Sequence, residues 1–496
     1  MIFCFFLGGN SVPTAYPVDL FEHLWVVDRL ACLGISRYFV HEIKNCLDYA
    51  SRYWTEEGIC WARNSPVHDV DDTAMGFRLL RLHGYDVSSN VFRKFEKDGE
   101  FICFAGQSSQ AVTGMFNLNR AAQLLFPERR YWSALRASPT RSFEKSKLAT
   151  SSRISGSSPR ICRARMAKVE YALDFPWYAN LPRIETRLYR DQYGGSSDVW
   201  IGKILYRMPV VNNDLYLELA KADFNQCQAL HQLEWLGLQM WYEENGLGKY
   251  GVNKKSMLRA YFLAVSSIFE PDRAAERLGW ARTAVLADAV SAYFCSKSCT
   301  EEMRLHFICD FLRDDVDKSC DNNWIRSGME KTEEGLLGLL RQLINRLTFE
   351  AVPPPPLERH ATRHHLRQAW HQWLVTWREE GRLDGPTRGR GGRGGRTRGC
   401  FWAGRWRSAG PVRSDGSGGG PAGGVAEKDT IVNKIDKEVD SEMQELVQCV
   451  LQSSSNLNNT TKQTFLSVVK SFYYLAHCPY ATLNTHISKV IFHRVV

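Results

Sequence analysis

Along most of this chain apolar residues recur every three or four positions, and runs that alternate apolar with polar are scarce. A period of roughly 3.6 lays a hydrophobic stripe along one side of a helix, so the chain must pack helix against helix and is read as all-α. From Asp19 to Leu33 the residues Leu20, Leu24, Val27 and Ala31 share a face, with Asp19 suited to cap the start and Gly34 to the left-handed end. Ile43, Cys46, Leu47 and Ala50 make a second face. Further helices are predicted near 216–242, 255–269, 272–294, 335–347 and 462–476. With 496 residues, 44% hydrophobic and 12% aromatic, the chain can fill the cores of about two or three domains.

Two segments break the period. Residues 129–168 carry eleven Arg or Lys against one acid, and residues 385–425 carry eight Arg against one acid among many glycines. Together they hold more positive charge than the net +9 of the whole chain, so the remainder is acidic and no specific nucleic-acid partner is expected. Neither segment can bury enough apolar surface to order itself, and both are expected to be disordered. The second could be read as an RNA-binding Arg-Gly box or a flexible linker. Translation in the wrong frame, or a mispredicted exon, is the reading that best accounts for both, because helical sequence resumes abruptly on either side. The tetraproline Pro353 to Pro356 reads as a stiff connector. The fourteen cysteines lack zinc-ligand spacing and read as reduced core thiols. No apolar run is long enough to span a bilayer, and no secretory or transit peptide is visible.

The chemically informative stretch is Asp69-Val70-Asp71-Asp72, which enters a helix ending near His83-Gly84. Three carboxylates at a helix start are most simply a cap favoured by the helix dipole. Grouped carboxylates also suit a different task, protonation of an alkene. Like charges that crowd together cannot all ionise cheaply, so one acid keeps its proton, while hydrogen bonds from neighbours sharpen its readiness to give it up. The carbocation that results must be sheltered by aromatic faces, for which Trp61, Trp177, Tyr178 and Trp200 are candidates, each equally able to be core packing.

Several runs around this motif carry a resemblance. Tyr16-Pro17-Val18-Asp19-Leu20-Phe21, Gly58-Ile59-Cys60-Trp61-Ala62-Arg63-Asn64, the acid motif, Gln110-Ala111-Val112-Thr113-Gly114-Met115-Phe116-Asn117, Asp174-Phe175-Pro176-Trp177-Tyr178 and Phe269-Glu270-Pro271-Asp272-Arg273 resemble plant class II diterpene cyclases of the ent-copalyl diphosphate synthase family. The resemblance covers nearly the whole chain outside the two irregular segments. It implies that Asp71 is the general acid for geranylgeranyl diphosphate, flanked by Asp69 and Asp72, with Thr113 and Asn117 holding that acid in its donating state. The implied product is copalyl diphosphate, expected to be the ent isomer, formed with Mg2+ on the diphosphate and feeding gibberellin or diterpenoid biosynthesis in the plastid. A kaurene synthase-like enzyme would act downstream.

The same resemblance sets out domains and departures. It implies a remnant of a γ domain over 1–25, a β domain over 26–225 and a class I-type α domain over 226–496. In that α domain the helix Ala281 to Leu286 lacks the carboxylates of a class I metal motif, Asp314-Asp315-Val316-Asp317 reads as a solvated loop, and no metal ligand is assigned. With γ largely missing, an apolar face of the β domain should lie exposed. Thr14 stands where ent-specific relatives have an asparagine, which leaves the product isomer open. The alternative reading is a catalytically inactive truncated fragment or pseudogene product.

Overall fold

The computed structural model describes residues 18–97, 100–104, 112–124, 177–192, 214–296, 300–313, 331–350, 356–383, 443, 445–447, 449–450 and 459–496. Thr14, Trp200, Asp314 to Asp317 and the segments 129–168 and 385–425 lie outside them. The described residues are overwhelmingly helical, as the period requires; their one ladder pairs β1 (Glu96–Lys97) with β2 (Glu100–Phe101). No described helix is long and apolar enough to cross a membrane.

The chain forms two compact units, one from Met1–Ala229 with Thr430–Val496 and the other from Leu230–Asp429. The first contains α1 (Asp19–Leu33), α2 (Val40–Ser51), α3 (Val70–Leu82), α4 (Val112–Ala122) and α5 (Pro182–Gln192). It also takes the start of α6 (Asp214–Glu244). The second holds the rest of α6, then α7 (Lys254–Ser267), α8 (Ala274–Ser296), α9 (Glu301–Leu312), α10 (Lys331–Glu350) and α11 (Pro356–Leu383). The chain ends in the first unit with α12 (Asn459–His477), α13 (Tyr480–Ile487) and a π turn at Ser488–Phe492.

Helix α1 is buried almost all round, which makes it the centre of its unit; Leu20, Leu24, Trp25, Val27 and Leu30 are all within 1% of full burial. Its C-terminus follows the sequence, with Gly34 at φ +75° and its N–H bonded to the Ala31 carbonyl. Its start does not. The N-cap is Val18, with no side-chain hydrogen bond, and Asp19 sits in the first turn instead. There its carboxylate accepts the Tyr49 hydroxyl at 2.6 Å and the Arg63 backbone N–H at 3.2 Å, so tertiary partners outcompete the local cap.

In the second unit α8 packs on α7 and α10, and Gly279 marks the close approach: a Cβ there would stand 2.6 Å from Leu347 Cδ2. Arg277, fully buried on α8, binds Glu234 through two nitrogens at 2.8 and 2.5 Å and also the carbonyls of Ile268 and Glu270. The Tyr261 hydroxyl adds a bond of 2.8 Å to the same carboxylate. Phe294 meets Phe307 and Trp377 to close this core. Exposed large apolar side chains of the first unit, such as Val40, Leu215 and Tyr480, come from separate elements, whereas Leu233, Leu236 and Met240 line one side of α6 in the second.

Candidate active site

The acid motif begins where a turn docks on helix α3. Gly58 has φ +95°, and a Cβ there would fall 2.4 Å from Thr73 Oγ1, so only glycine fits. The next residue, Ile59, exchanges backbone hydrogen bonds with that hydroxyl: its N–H donates at 3.3 Å and its carbonyl accepts at 3.2 Å. Thr73 therefore fixes the first turn of α3 against its own approach segment. Asp69 is extended and caps the helix, its Oδ1 accepting the Asp72 N–H at 2.8 Å. The simple capping role thus falls to one carboxylate of the three.

The second carboxylate faces elsewhere. Asp71 Oδ1 accepts from Asn117 Nδ2 on α4 at 2.6 Å, with Asp71 5% and Asn117 0% exposed. Asp72 is fully buried beside them. Helix α4 reaches this position because Gly114, one turn before Asn117, carries no side chain. A Cβ there would stand 2.7 Å from Cys103 Sγ and 3.0 Å from Val70 Cγ1. The Val70 N–H donates to the Cys103 carbonyl at 2.9 Å, which binds the same loop to the helix start. Thr113 lies on the first turn of α4, and its side chain is outside the described residues. Cys60 also borders the motif: burial first, then the charges of Asp69 and Asp72, push its thiol up to about 11 and keep it neutral.

Two turns along α3 from Asp71 lies a second polar cluster, unsignalled by the sequence. Asp28 on α1, 1% exposed, accepts from Arg78 Nη2 on α3 and, at 3.2 Å, from Arg120 Nη1 on α4 through the same Oδ1. Arg120 also reaches Glu185 on α5 at 3.2 Å. Burial, and then the neighbouring Arg120 charge, pull Arg78 below the usual guanidinium value. Burial works against Arg120 too, but Asp28 and further partners hold it above that value.

Three of the four candidate aromatics lie among the described residues, and Trp200 lies outside them. Trp61 is half-buried against the core of the first unit, and its carbonyl accepts the Phe21 N–H at 3.0 Å. Trp177 lies beneath Lys470 of α12, whose ammonium is 3.8 Å from the ring centroid. Tyr178 meets Tyr473 and His477 of α12 edge-on, at 5.0 and 5.9 Å. Trp54, which the sequence did not single out, packs on the acid helix: its ring lies 3.3 Å from where a Gly76 Cβ would be. Among the described residues no three His, Cys, Asp or Glu side chains converge to hold a metal ion. With Asp69 committed to the cap and Asp71 to Asn117, the motif does not fit a magnesium site.

Three comparisons bear on this arrangement. Residues 5–173 match the family model for the terpene synthase N-terminal domain. A chloroplastic (-)-kolavenyl diphosphate synthase of Tripterygium wilfordii is 45% identical over 99% of this chain and 61% of its own length. An ent-copalyl diphosphate synthase of Isodon eriocalyx is also 45% identical, over 99% of this chain and 70% of its own. The crystal structure of ent-copalyl diphosphate synthase from Arabidopsis thaliana, solved with an aza-geranylgeranyl thiolodiphosphate, superposes with a TM-score of 0.73 at 40% identity, covering 98% of this chain and 67% of that one. The chain thus spans about three fifths of the length of the first of these relatives.

Proposed function

We propose, given that this chain belongs to the terpene synthase family as one of its class II diterpene cyclases, that it converts geranylgeranyl diphosphate to copalyl diphosphate by protonation-initiated cyclisation. The observation that carries the reading is the 2.6 Å contact between Asp71 and Asn117, buried at the start of a helix whose cap is already supplied by Asp69.

In this reading Asp71 gives its proton to the terminal alkene, the double bonds close two rings in succession, and the final cation loses a proton. The diphosphate stays attached, so the reaction is a net isomerisation. The Asn117 amide, donating to Oδ1, stabilises the charge left on Asp71 after transfer and adds no charge of its own. Asp72, buried next to it, makes simultaneous ionisation of the group costly. Magnesium would accompany the diphosphate and neutralise it; the chain's described residues supply no step through that ion. The ent stereochemistry, a plastid location and a role before a class I enzyme of gibberellin or diterpenoid synthesis belong to the same proposal.

A specific observation favours a second product, since relatives named as kolavenyl diphosphate synthases match this chain as well as the copalyl enzymes do, at 45% identity. The test is to supply geranylgeranyl diphosphate and Mg2+ to the whole chain, treat with phosphatase and analyse the alcohol by mass spectrometry on a chiral column. Copalol that disappears in Asp71→Ala supports the first reading, and kolavenol with the same dependence supports the second. Geranylgeraniol alone, the alcohol of unconverted substrate, from a folded chain would sink both and leave the inactive-fragment reading.

A further inference from the structure

We propose that Asp28 is a positioning residue for the acid: by binding Arg78 of α3 and Arg120 of α4 through one oxygen, it sets the distance between the helices that carry Asp71 and Asn117. The proposal rests on the cyclase reading for its consequence in turnover, and on geometry alone for its consequence in structure.

Among the described residues α3 and α4 make the most extensive helix pairing, and the Asp71–Asn117 bond spans it at one place while the Arg78–Asp28–Arg120 cluster spans it at another. Seven residues separate Asp71 from Arg78, about two turns or roughly 10 Å of helix, and Asn117 lies one turn from Arg120. Two guanidiniums of like charge, both at least nine-tenths buried, face each other across that gap. Glu185 meets Arg120 alone, whereas the Asp28 carboxylate is shared by both cations and turns their repulsion into attraction across the pairing, an exchange that is large in a buried setting. Removing its charge leaves the cations to repel, and the most direct relief is for the two helices to separate. Glycine contact at Gly114 leaves the Asp71 end no spare room to slide, because Val70 and Cys103 already stand at contact distance. The separation is therefore felt at Asn117, whose short bond to Asp71 spans the same pairing.

The experiment compares the whole chain with Asp28→Asn, Asp28→Glu, Asp71→Ala and Glu234→Gln. Glu234→Gln opens the buried Arg277 cluster of the second unit and serves as a control for plain destabilisation. Two quantities are read: kcat and KM for geranylgeranyl diphosphate, and the side-chain amide signal of 15N-labelled Asn117 without substrate. In Asp28→Asn the Asn117 signal is expected to move to its position in Asp71→Ala, and kcat to fall about 100-fold with KM little changed. Asp28→Glu, which keeps the charge, should regain part of both. Glu234→Gln should lower the melting temperature without moving either. Wild-type kcat and an unmoved Asn117 signal in folded Asp28→Asn overturn the proposal, as does an equal effect of Glu234→Gln. If the unaltered chain has no turnover, the cyclase reading fails separately, while the Asn117 signal still decides whether Asp28 sets the contact. Should Asp28→Asn not fold, Asp28→Asn/Arg120→Gln, which removes one of the opposed cations, is expected to fold with the Asn117 signal near its wild-type position; a signal displaced to the Asp71→Ala position would show that repulsion between the cations is not what parts the helices and would overturn the proposal.

Discussion

Two carboxylates of low exposure, one in each unit, show how partner chemistry separates an acid from a strut. Glu234 in the second unit is gripped by both arms of Arg277 and by the Tyr261 hydroxyl, so each of its oxygens meets a donor and one of those donors is a permanent cation. Its negative charge is felt by the neighbours: burial and then Glu234 push the Tyr261 hydroxyl far up, while Glu234 holds Arg277 above its usual value against the pull of burial. Such a group fixes α6 to α8. Asp71 in the first unit accepts from a neutral amide across the helix pairing, a contact compatible with either protonation state. The difference teaches that burial alone does not nominate an acid, whereas burial with a neutral donor does.

Exchanging the two losses should break or establish this contrast. Asp71→Ala is expected to lower turnover by about a hundredfold to ten-thousandfold, the range for loss of a general acid, with little change in thermal melting. Glu234→Ala should do the reverse, costing about 3 kcal/mol or more because it leaves Arg277 buried without its carboxylate, while kcat stays near wild type. A melting curve and a turnover assay on both variants check this. Equal loss of activity in the two would mean that the second unit is part of the catalytic machinery.

The next effect sharpens the role of the neutral donor. Asn117→Ala removes the amide and is expected to cut kcat by about 100-fold, the usual result of deleting one preorganised donor. Asn117→Asp would instead place a carboxylate opposite Asp71. If Asn117→Ala retains wild-type kcat in a single-turnover experiment, Asp71 does not depend on that contact.

How much of this could be read from the chain alone follows from the range of each interaction. The helix α3, its Asp69 cap and its end near His83-Gly84 depend on neighbours within a few residues, and the structure shows His83 at the C-cap with Gly84 at φ +86°. Helices predicted at 216–242 and 462–476 appear as Asp214–Glu244 and Asn459–His477, displaced only at their fraying ends. Helix α11 was not predicted, because its apolar positions Trp370, Leu374 and Trp377 are sparse among Arg and His and follow a proline run. The capping role expected of Asp19 failed because Tyr49 lies 30 residues away and the pattern carries no trace of it. Asp28 was invisible for the same reason, with partners 50 and 92 residues distant. Asn117 was marked only through the family resemblance, since no spacing rule links positions 71 and 117.

A smaller effect tests how tightly the acid pairing is packed. Gly114→Ala adds a methyl group where Cys103 Sγ and Val70 Cγ1 leave 2.7 and 3.0 Å, so a neighbour must shift. The expected cost is about 1 to 3 kcal/mol with a fall in kcat from the displaced Asn117. Gly84→Ala provides the contrast, since nothing lies within 4 Å of its Cβ position and only its φ of +86° is unfavourable. A larger kcat loss for Gly84→Ala than for Gly114→Ala would show that α4 does not need its close approach.

The smallest expected effect concerns a cation with no carboxylate in contact among the described residues. Lys470 lies over Trp177, and burial pulls its ammonium down to about 8 from an ordinary 10.5; Glu185 partly offsets this, and Arg120 and Arg78 add to it. A lysine held lower in the folded chain than in the unfolded one binds fewer protons when folded between those two values. Stability from this group therefore rises as pH climbs from about 8 towards 10.5, and the full penalty applies below 8. Lys470→Met removes the penalty and keeps the stem against the ring. It should raise the melting temperature by about 2 °C at pH 7, a gain that shrinks as pH approaches 10. Equal gains at both pH values would show that packing on Trp177, rather than charge, is what the substitution changes.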